Sequence, residues 1–391
     1  MNKLNRCIMG VIIIGIIIIF SVFIVVVVKE ITKKVETGKQ NVPINNDVLM
    51  ESQEEEKEEN KEENKEENKE ENKDSNKEYI YKYEEKEQED EKPKETVIVS
   101  NYTEKKIDKY FYNQLDETAR EIYKGLYINS NKMKSGKYKI EYGNIFTKVL
   151  EKEDGQSKMG KSFQSAVEAY KYDNPEIFYI EPNKMNLNME KTVKGKIISY
   201  NVYISPKVNT YLIDELKSEK EVNAAISKVN AVVKKINSKK KTSDYENIKM
   251  VHDYLVDNLA YDQTISLPHT YNIYGALVNN KCVCEGYAET FQYILKSMGI
   301  ECVYVIGTGI DNNGKSENHA WNYVKINSKW YGIDTTWDDP IIQGGGSSND
   351  TLRYKNFLKG KEKFTKNHIE NMDTSGSVLF KYPKLNSKDY H

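Results

Sequence analysis

Cysteine is scarce in this sequence, with four residues, at positions 7, 282, 284 and 302, in a chain of 391. So few cysteines exclude a fold that is held together by many disulfides. The two cysteines at 282 and 284 are too close for an unstrained disulfide, and their gap is not the two-residue gap of a zinc knuckle. A zinc site would need Cys282, Cys284, Cys302 and His319 to converge, which this spacing disfavours. We therefore predict no metal and no cofactor.

A large net charge is also missing, because the formal value is only −2 at pH 7. The charge is nevertheless uneven: residues 51–95 contain 21 acidic residues and 10 lysines, which leaves the remainder at about +9. That positive charge is dispersed and lacks any nucleic-acid-binding motif, so we predict no nucleic-acid partner. A dispersed basic surface suits anionic cell-wall material or no particular partner.

Residues 8–28 contain no charged side chain over 21 positions. As a helix this run is about 31 Å long, against roughly 30 Å for the hydrocarbon core of a bilayer. It exceeds the apolar part of a signal peptide, and no small-residue cleavage site follows it. We predict a short cytoplasmic arm at 1–7 and a transmembrane helix at 8–28. Lysines flank both ends, so the placement of the globular part outside a single-pass cell membrane rests on layout and not on charge.

A charged tether is predicted at 29–100, with four Lys-Glu-Glu-Asn repeats between Lys57 and Asn72. The period of four places like charges at successive i,i+4 positions, which destabilises a helix, and asparagine is a poor helix former. Extended disorder is therefore the prediction for this segment.

A small α+β domain of unknown role is predicted at 101–240. Apolar spacing indicates helices at 105–127 and 162–172, and a longer helix at 210–237. The apolar alternation of 197–204 indicates a strand.

A last domain, predicted at 241–391, contains all three tryptophans and all five histidines. After a helix at 244–259, Cys284 opens another helix, whose apolar face runs to Met298 and which Gly299 ends. A thiol at the start of a helix lies at the positive end of the macrodipole, which favours the nucleophilic thiolate. The free amides of that first turn are also suited to stabilising an oxyanion.

Strands are predicted after this helix, at 302–307, 318–326 and 329–336, with a polar loop at 308–317. If Asn327 and Ser328 form a two-residue turn, Ile326 pairs with Lys329. His319 and Asp334 then share one face of the sheet as a diagonal pair, with Cα atoms about 7–8 Å apart. A three-residue loop without a bulge would instead place them on opposite faces.

Each of these residues has an ordinary structural explanation when taken alone. A cysteine at a helix start is more often a small buried apolar residue, and a histidine in a strand is more often structural. Cysteine, histidine and aspartate in the order helix, strand, strand are nevertheless the three parts of a thiol triad. The remaining candidates are predicted to be structural, core, loop or tail residues: Cys282, Cys302, His252, His269, His368 and His391.

Three sequence blocks, Val283–Ala288, Asn318–Asn322 and Gly332–Asp338, resemble those of the transglutaminase-like superfamily, and the resemblance covers roughly residues 240–340. It implies an α+β class with a papain-like core, in which the cysteine-bearing helix packs on an antiparallel sheet. It also implies that Cys284 is the nucleophile, His319 the general base and acid, and Asp334 the residue that orients His319. No calcium-site pattern of the animal enzymes is seen.

The resemblance does not fix the reaction, because members of the superfamily cross-link glutamine to amines, hydrolyse amide bonds or have lost activity. We predict a membrane-tethered thiol enzyme that forms an acyl-enzyme and passes the acyl group to an amine or to water. Its substrates would be proteins or peptides of the cell surface, cell-wall peptides among them. A cysteine protease or amidase of the cell wall and a non-catalytic surface scaffold are the alternatives. Tyr261 and Trp321 are candidates for a second oxyanion donor.

Overall fold

The computed structural model describes residues 107–370 and 380–391, except 266, 268, 312 and 340–349, together with the backbone of 81–85. The transmembrane helix predicted at 8–28, its arm at 1–7 and nearly all of the predicted tether lie outside this part. Within it, no helix has both the length and the apolar character needed to cross a bilayer. Helices combine with mainly antiparallel sheets, which confirms the predicted α+β class.

The first sheet has the strand order β1-β3-β4-β2. Its strands are β1 (Tyr81–Glu85), β2 (Ile140–Gly143), β3 (Met185–Lys194) and β4 (Ile197–Pro206). The strand predicted at 197–204 is thereby confirmed. β1 pairs parallel with β3 although it falls in the segment predicted as a disordered tether. That prediction does not hold for these five residues, whose two tyrosines suit a strand.

Helices α1 (Glu117–Met133), α2 (Thr147–Leu150) and α3 (Gly155–Asp173) accompany this sheet. The helix predicted at 105–127 is wrong at both ends. α1 begins after Asp116, which caps it by accepting the Ala119 amide at 2.8 Å, and it continues to Met133. The residues before it are held differently: the Asp173 carboxylate accepts the amides of Phe111 and Tyr112. α3 contains the predicted 162–172 and begins two turns earlier.

Helix α4 (Glu219–Asn237) is shorter than the predicted 210–237. Ser218 caps it by accepting the Glu221 amide. The preceding residues are committed elsewhere, since Ile213 donates its amide to the Tyr179 carbonyl. The helical spacing of apolar residues extends back to residue 210, but the backbone before Ser218 bonds to another segment instead of forming a helix.

The remaining elements surround a second sheet of strand order β10-β7-β8-β9. The helices are α5 (Asp244–Asn258), α6 (Ile273–Leu277), α7 (Cys284–Ser297), α8 (Asp350–Arg353) and α9 (Lys361–Phe364); the strands are β5 (Ala260–Tyr261), β6 (Lys281–Cys282), β7 (Cys302–Ile310), β8 (Ser316–Ile326), β9 (Lys329–Ile333) and β10 (His368–Glu370). The buried face of α7 contains Ala288, Phe291 and Ile294, as its apolar spacing predicted.

The polar loop predicted at 308–317 is shorter than expected, because β7 and β8 extend into it. Asp311 closes the connecting turn by accepting the amides of Asn313 and Lys315, both at 2.8 Å. The longer strands bring the start of β8 beside the end of β7, with His319 opposite Gly307.

Apolar residues on both sides of residue 240 share one hydrophobic core. The Phe111 and Phe380 rings lie 5.0 Å apart between centroids, and Tyr172 lies 5.1 Å from Tyr304. The described residues all belong to one compact unit. The domain boundary predicted at 240 remains a prediction.

Candidate active site

Cys284 is the first residue of α7 and is partly exposed, as the sequence predicts. Val283 precedes it in an extended conformation and offers no side-chain cap to the helix. Val283 is itself fixed, because it donates its amide to the Thr270 carbonyl at 2.9 Å and its carbonyl accepts the Tyr287 amide. The thiol therefore stands at the positive end of the helix, with the first-turn amides not occupied by a capping side chain.

The turn between β8 and β9 has the two residues on which the predicted register depends. Asn327 and Ser328 have φ values of 48° and 62°, the paired left-handed conformations of a tight hairpin turn. Ile326 pairs with Lys329, and the register continues to Asn322 opposite Ile333. β9 ends there, so Asp334 follows the strand directly instead of lying within it.

His319 and Asp334 form a buried hydrogen-bonded pair, with 2.7 Å between Nε2 and Oδ2. Cys284 lies close enough to His319 to contribute to the raised pKa of the imidazole. Because Asp334 occupies Nε2, the nitrogen that remains for the thiol is Nδ1. The geometry brings together the three residues that the sequence singles out, in the order thiol, imidazole, carboxylate.

The charges of this group favour an imidazolium beside a carboxylate. Burial lowers the pKa of His319, but the Asp334 charge, its hydrogen bond and Cys284 outweigh that effect and raise the pKa to about 10. Burial likewise opposes ionisation of Asp334, yet His319 and His368 hold its pKa well below the usual range. His319 thus keeps a proton that it can give to a leaving group.

The other carboxylate oxygen of Asp334 fixes the turn that follows. Oδ1 accepts the amides of Thr336 and Trp337 at 3.0 and 3.1 Å. The Trp337 ring stacks on the His319 imidazole with centroids 4.5 Å apart and an interplanar angle of 19°. This stacking needs Gly309, since a Cβ there would lie 2.7 Å from the Trp337 ring. The imidazole is therefore held from its edge and from its face.

His368, predicted to lie in loop or tail sequence, instead lies in a strand beside His319 and Asp334. It lies on β10 opposite Gly309, and its Nε2 is 3.0 Å from the same Asp334 oxygen that His319 contacts. Its ring stacks on Phe364 at 3.9 Å between centroids. Burial lowers the pKa of His368, and the Asp334 carboxylate opposes this only in part. A strand of three residues carries too little periodicity to be recognised in sequence.

Among the described residues, His319, Asp334 and His368 also form the group whose donor atoms lie close enough for a metal ion, within 4.8 Å of one another. Two imidazole hydrogen bonds to one carboxylate oxygen account for this spacing. The cysteine set that a zinc site would need does not form part of that group. Cys282 and Cys302 are buried, and burial raises the pKa of both thiols.

The two candidates for a second oxyanion donor have different surroundings. Burial and the charge of Cys284 raise the pKa of Tyr261, so its hydroxyl stays protonated. Trp321 packs edge-on against His368, with centroids 5.0 Å apart. Both residues remain candidates.

His252 forms a second buried histidine–aspartate pair. Its Nε2 lies 3.1 Å from Asp338 Oδ2 and its Nδ1 lies 3.1 Å from Asp253 Oδ1. Asp338 also accepts the backbone and side-chain amides of Asn356. The amide of Asp338 donates to the Asp334 carbonyl at 3.1 Å, so this network supports the turn after Asp334.

Residues 230–335 match the model of the Transglutaminase-like superfamily, which confirms the resemblance carried by the three sequence blocks. Kyphoscoliosis peptidase of Mus musculus is 26% identical over 126 residues, which cover 29% of this chain and 19% of that protein. Kyphoscoliosis peptidase of Homo sapiens is 24% identical over 111 residues, covering 26% and 17%. The chain thus spans about a fifth of the length of these relatives.

Two solved structures are also similar to this chain. A crystallised TGase is 16% identical, with a TM-score of 0.26, and the match covers 39% of this chain and 45% of that one. The periplasmic domain of TgpA from Pseudomonas aeruginosa is 15% identical, with a TM-score of 0.24, covering 38% and 58%.

Proposed function

We propose that this chain is a cysteine enzyme that cleaves amide bonds through an acyl-enzyme at Cys284. The observation that carries the proposal is the chain of contacts from the partly exposed Cys284 to His319 and on to the buried Asp334. A thiol, a proton carrier and an orienting carboxylate are the three elements of acyl transfer through sulfur.

In the first half of the reaction, the Cys284 thiolate attacks the carbonyl carbon of the substrate and a carbon–sulfur bond forms. The oxyanion of the tetrahedral intermediate is stabilised by amides of the first turn of α7, with the Tyr261 hydroxyl as a second donor. The carbon–nitrogen bond then breaks, and the His319 imidazolium gives its proton to the departing amine.

In the second half, His319 takes a proton from an attacking water or amine, and the thioester carbon–sulfur bond breaks. Water yields a carboxylic acid, and an amine yields a new amide. The name of the curated relatives, a peptidase, supports hydrolysis as the main outcome, and transfer to an amine is the alternative.

We further propose that residues 8–28 tether the enzyme to a membrane and that its substrates are proteins or peptides of the cell surface. The support is the uncharged run of 21 residues followed by a long charged segment.

A peptidyl vinyl sulfone, which mimics an amide substrate and alkylates a thiolate, tests the nucleophile. We expect labelling of the wild type and of Cys282→Ala, and none of Cys284→Ala. Undiminished labelling of Cys284→Ala, with loss in Cys282→Ala, would overturn the assignment.

A labelled primary amine, incubated with the enzyme and with cell-wall and surface-protein fractions, then separates the two outcomes. Mass spectrometry detects either cleaved peptides or incorporated amine. If neither forms while the vinyl sulfone labels Cys284, those fractions do not contain the substrate. If neither forms and Cys284 is also unreactive, the chain is a scaffold and not an enzyme.

A further inference from the structure

The loop between β5 and α6 is fastened beside the nucleophile at both of its ends. At one end, Asp262 donates its amide to the Cys282 carbonyl at 3.0 Å. At the other, the Thr270 carbonyl accepts the Val283 amide at 2.9 Å. The two anchor points are the residues that directly precede Cys284. The loop is therefore part of the immediate surroundings of the thiol.

This loop exposes large apolar side chains. Of the nine large apolar residues that are well exposed in the described part of the chain, three lie here: Ile265, Leu267 and Tyr271, with 53%, 38% and 41% exposure. Single exposed apolar residues are ordinary, whereas a concentration of them beside a reactive group is typical of a binding surface. We call these three residues the apolar loop surface.

Hydrogen bonds from inside the loop keep this surface in place. The buried Asp262 carboxylate accepts the Leu267 amide at 3.1 Å and the Thr270 hydroxyl at 3.0 Å. Ile265 has a φ of 50°, a left-handed conformation that is an outlier for a β-branched residue. Such strain persists where the surrounding structure imposes it, and it concentrates at binding and catalytic sites. The loop is thus fastened with its apolar side chains outward.

Tyr271 continues the apolar loop surface into a cavity of about 80 Å³. Ile177, Phe178 and Ile213, from the N-terminal part of the described chain, form its apolar walls. Tyr271 directly follows Thr270, whose carbonyl accepts the Val283 amide, so this side of the cavity belongs to the loop end that is bonded to the residue before Cys284. The segment whose role the sequence did not reveal therefore supplies a wall of this cavity.

The lysine at the cavity is paired with two carboxylates. Lys171 Nζ lies 3.0 Å from Glu285 Oε2 and 3.6 Å from Glu289 Oε1. Glu181 also lines the cavity, so carboxylates outnumber the lysine and an anionic side chain is disfavoured. The apolar walls favour an apolar side chain as the occupant.

We propose that the apolar loop surface and this cavity bind apolar side chains of the peptide acyl donor next to the amide that Cys284 attacks. The inference rests on the proposed function and specifies its substrate class: apolar peptide segments are preferred to polar ones. Residues 101–240 then contribute to specificity through Ile177, Phe178 and Ile213.

Two vinyl sulfone peptides that differ in one residue, leucine or serine, test the preference, and iodoacetamide measures the thiol alone. We expect the wild type to react with the leucine peptide about tenfold faster than with the serine peptide. Ile265→Asp should reduce that preference from about tenfold to no more than about threefold, and leave the iodoacetamide rate unchanged. Ile177→Asp tests the cavity in the same way. Aspartate tolerates a left-handed conformation better than isoleucine does, so Ile265→Asp should fold.

Ile197→Asp is the matched control, because Ile197 is an isoleucine of 69% exposure in the β4 strand and outside the loop. It should keep the wild-type ratio. A wild-type ratio near one, or a ratio unchanged in both Ile265→Asp and Ile177→Asp, would overturn the inference. Labelling that persists in Cys284→Ala would instead overturn the proposed function, so the two failures are distinguishable.

Discussion

In the described part of the chain, two buried aspartates four residues apart each contact a buried histidine of a different element. His319 contacts Asp334 at 2.7 Å, and His252 contacts Asp338 at 3.1 Å. Both histidines and both aspartates are buried. The pairs differ in the neighbour of the imidazole: Cys284 contributes to the raised pKa of His319, whereas Nδ1 of His252 lies 3.1 Å from an Asp253 carboxylate oxygen. Two similar histidine–carboxylate pairs thus have different surroundings, one beside a thiol and one beside a second carboxylate.

The two carboxylates also differ in charge state. Burial raises the pKa of Asp338 to about 6, although His252 and Asn356 oppose the shift. The pKa of Asp334 stays well below its usual range because two imidazoles donate to it. The Asp334 charge itself contributes to the raised pKa of Asp338. Ionisation at the candidate active site is therefore favoured over ionisation at its neighbour.

Replacing each histidine by alanine should separate the two pairs most clearly through the reactivity of Cys284. We expect His319→Ala to lower vinyl sulfone labelling of Cys284 by about 10²–10⁴-fold, because the proton carrier is lost. His252→Ala should change the rate less than threefold in the folded fraction. Labelling rates normalised to folded protein measure both effects. Equal losses in the two variants would contradict the assignment of roles.

The same two variants should rank in the opposite order for stability. His252→Ala leaves the buried Asp338 without its imidazole, and we expect the free energy of unfolding to fall by about 3–5 kcal/mol. His319→Ala leaves Asp334 with His368 and two amides, so a loss of about 1–2 kcal/mol is expected. Urea denaturation at pH 7 measures both. A larger loss in His319→Ala would contradict the prediction that His252 contributes more to stability than His319 does.

His368 is a further difference between the two carboxylates, because Asp334 contacts two imidazoles and Asp338 contacts one. In His368→Phe, Asp334 has one imidazole, holds the His319 proton more tightly and loses a fixed contact. We expect about tenfold slower labelling, with the alkaline limb of the pH profile moved to higher pH. His368→Gln keeps a donor and should stay within threefold of the wild type. An unshifted profile in His368→Phe would leave His368 with a packing role only.

The last expected effect is the pH dependence of stability at alkaline pH. The pKa of His319 rises from 6.5 to about 10 on folding, so its contribution is complete below pH 6.5 and is lost as the pH rises through about 10. The free energy of unfolding should therefore decline between pH 7 and pH 10, and less so in His319→Gln. Denaturation series at several pH values test this. Parallel curves for the two proteins would show that His319 is not protonated in the fold.

Local patterns predicted the helix that begins at Cys284 well. The α7 face follows from apolar spacing, and the β8–β9 register follows from the two residues of the turn, Asn327 and Ser328. Both signals are complete within a few neighbouring residues. The family match at 230–335 was recognisable for the same reason, because its motifs are short and contiguous.

Features that depend on distant contacts were not predictable. The start of α1 is set by the Asp116 cap, while the residues before it bond to Asp173, about 60 positions later. His368 reaches Asp334 only because β10 pairs with β7, and a three-residue strand leaves no pattern to read. The apolar loop surface was equally invisible, since exposure is a property of the folded chain.

The position of His368 in the chain has a consequence for the order of biosynthesis. Cys284 and His319 are translated well before His368, and Phe380, which packs against Phe111, comes later still. Domains fold largely as units during or after synthesis. A nascent chain that already contains the thiol therefore lacks the second imidazole on Asp334 and an aromatic residue of the shared core. The hydrogen-bond network around Asp334 can therefore be complete only after residue 368 has been synthesised.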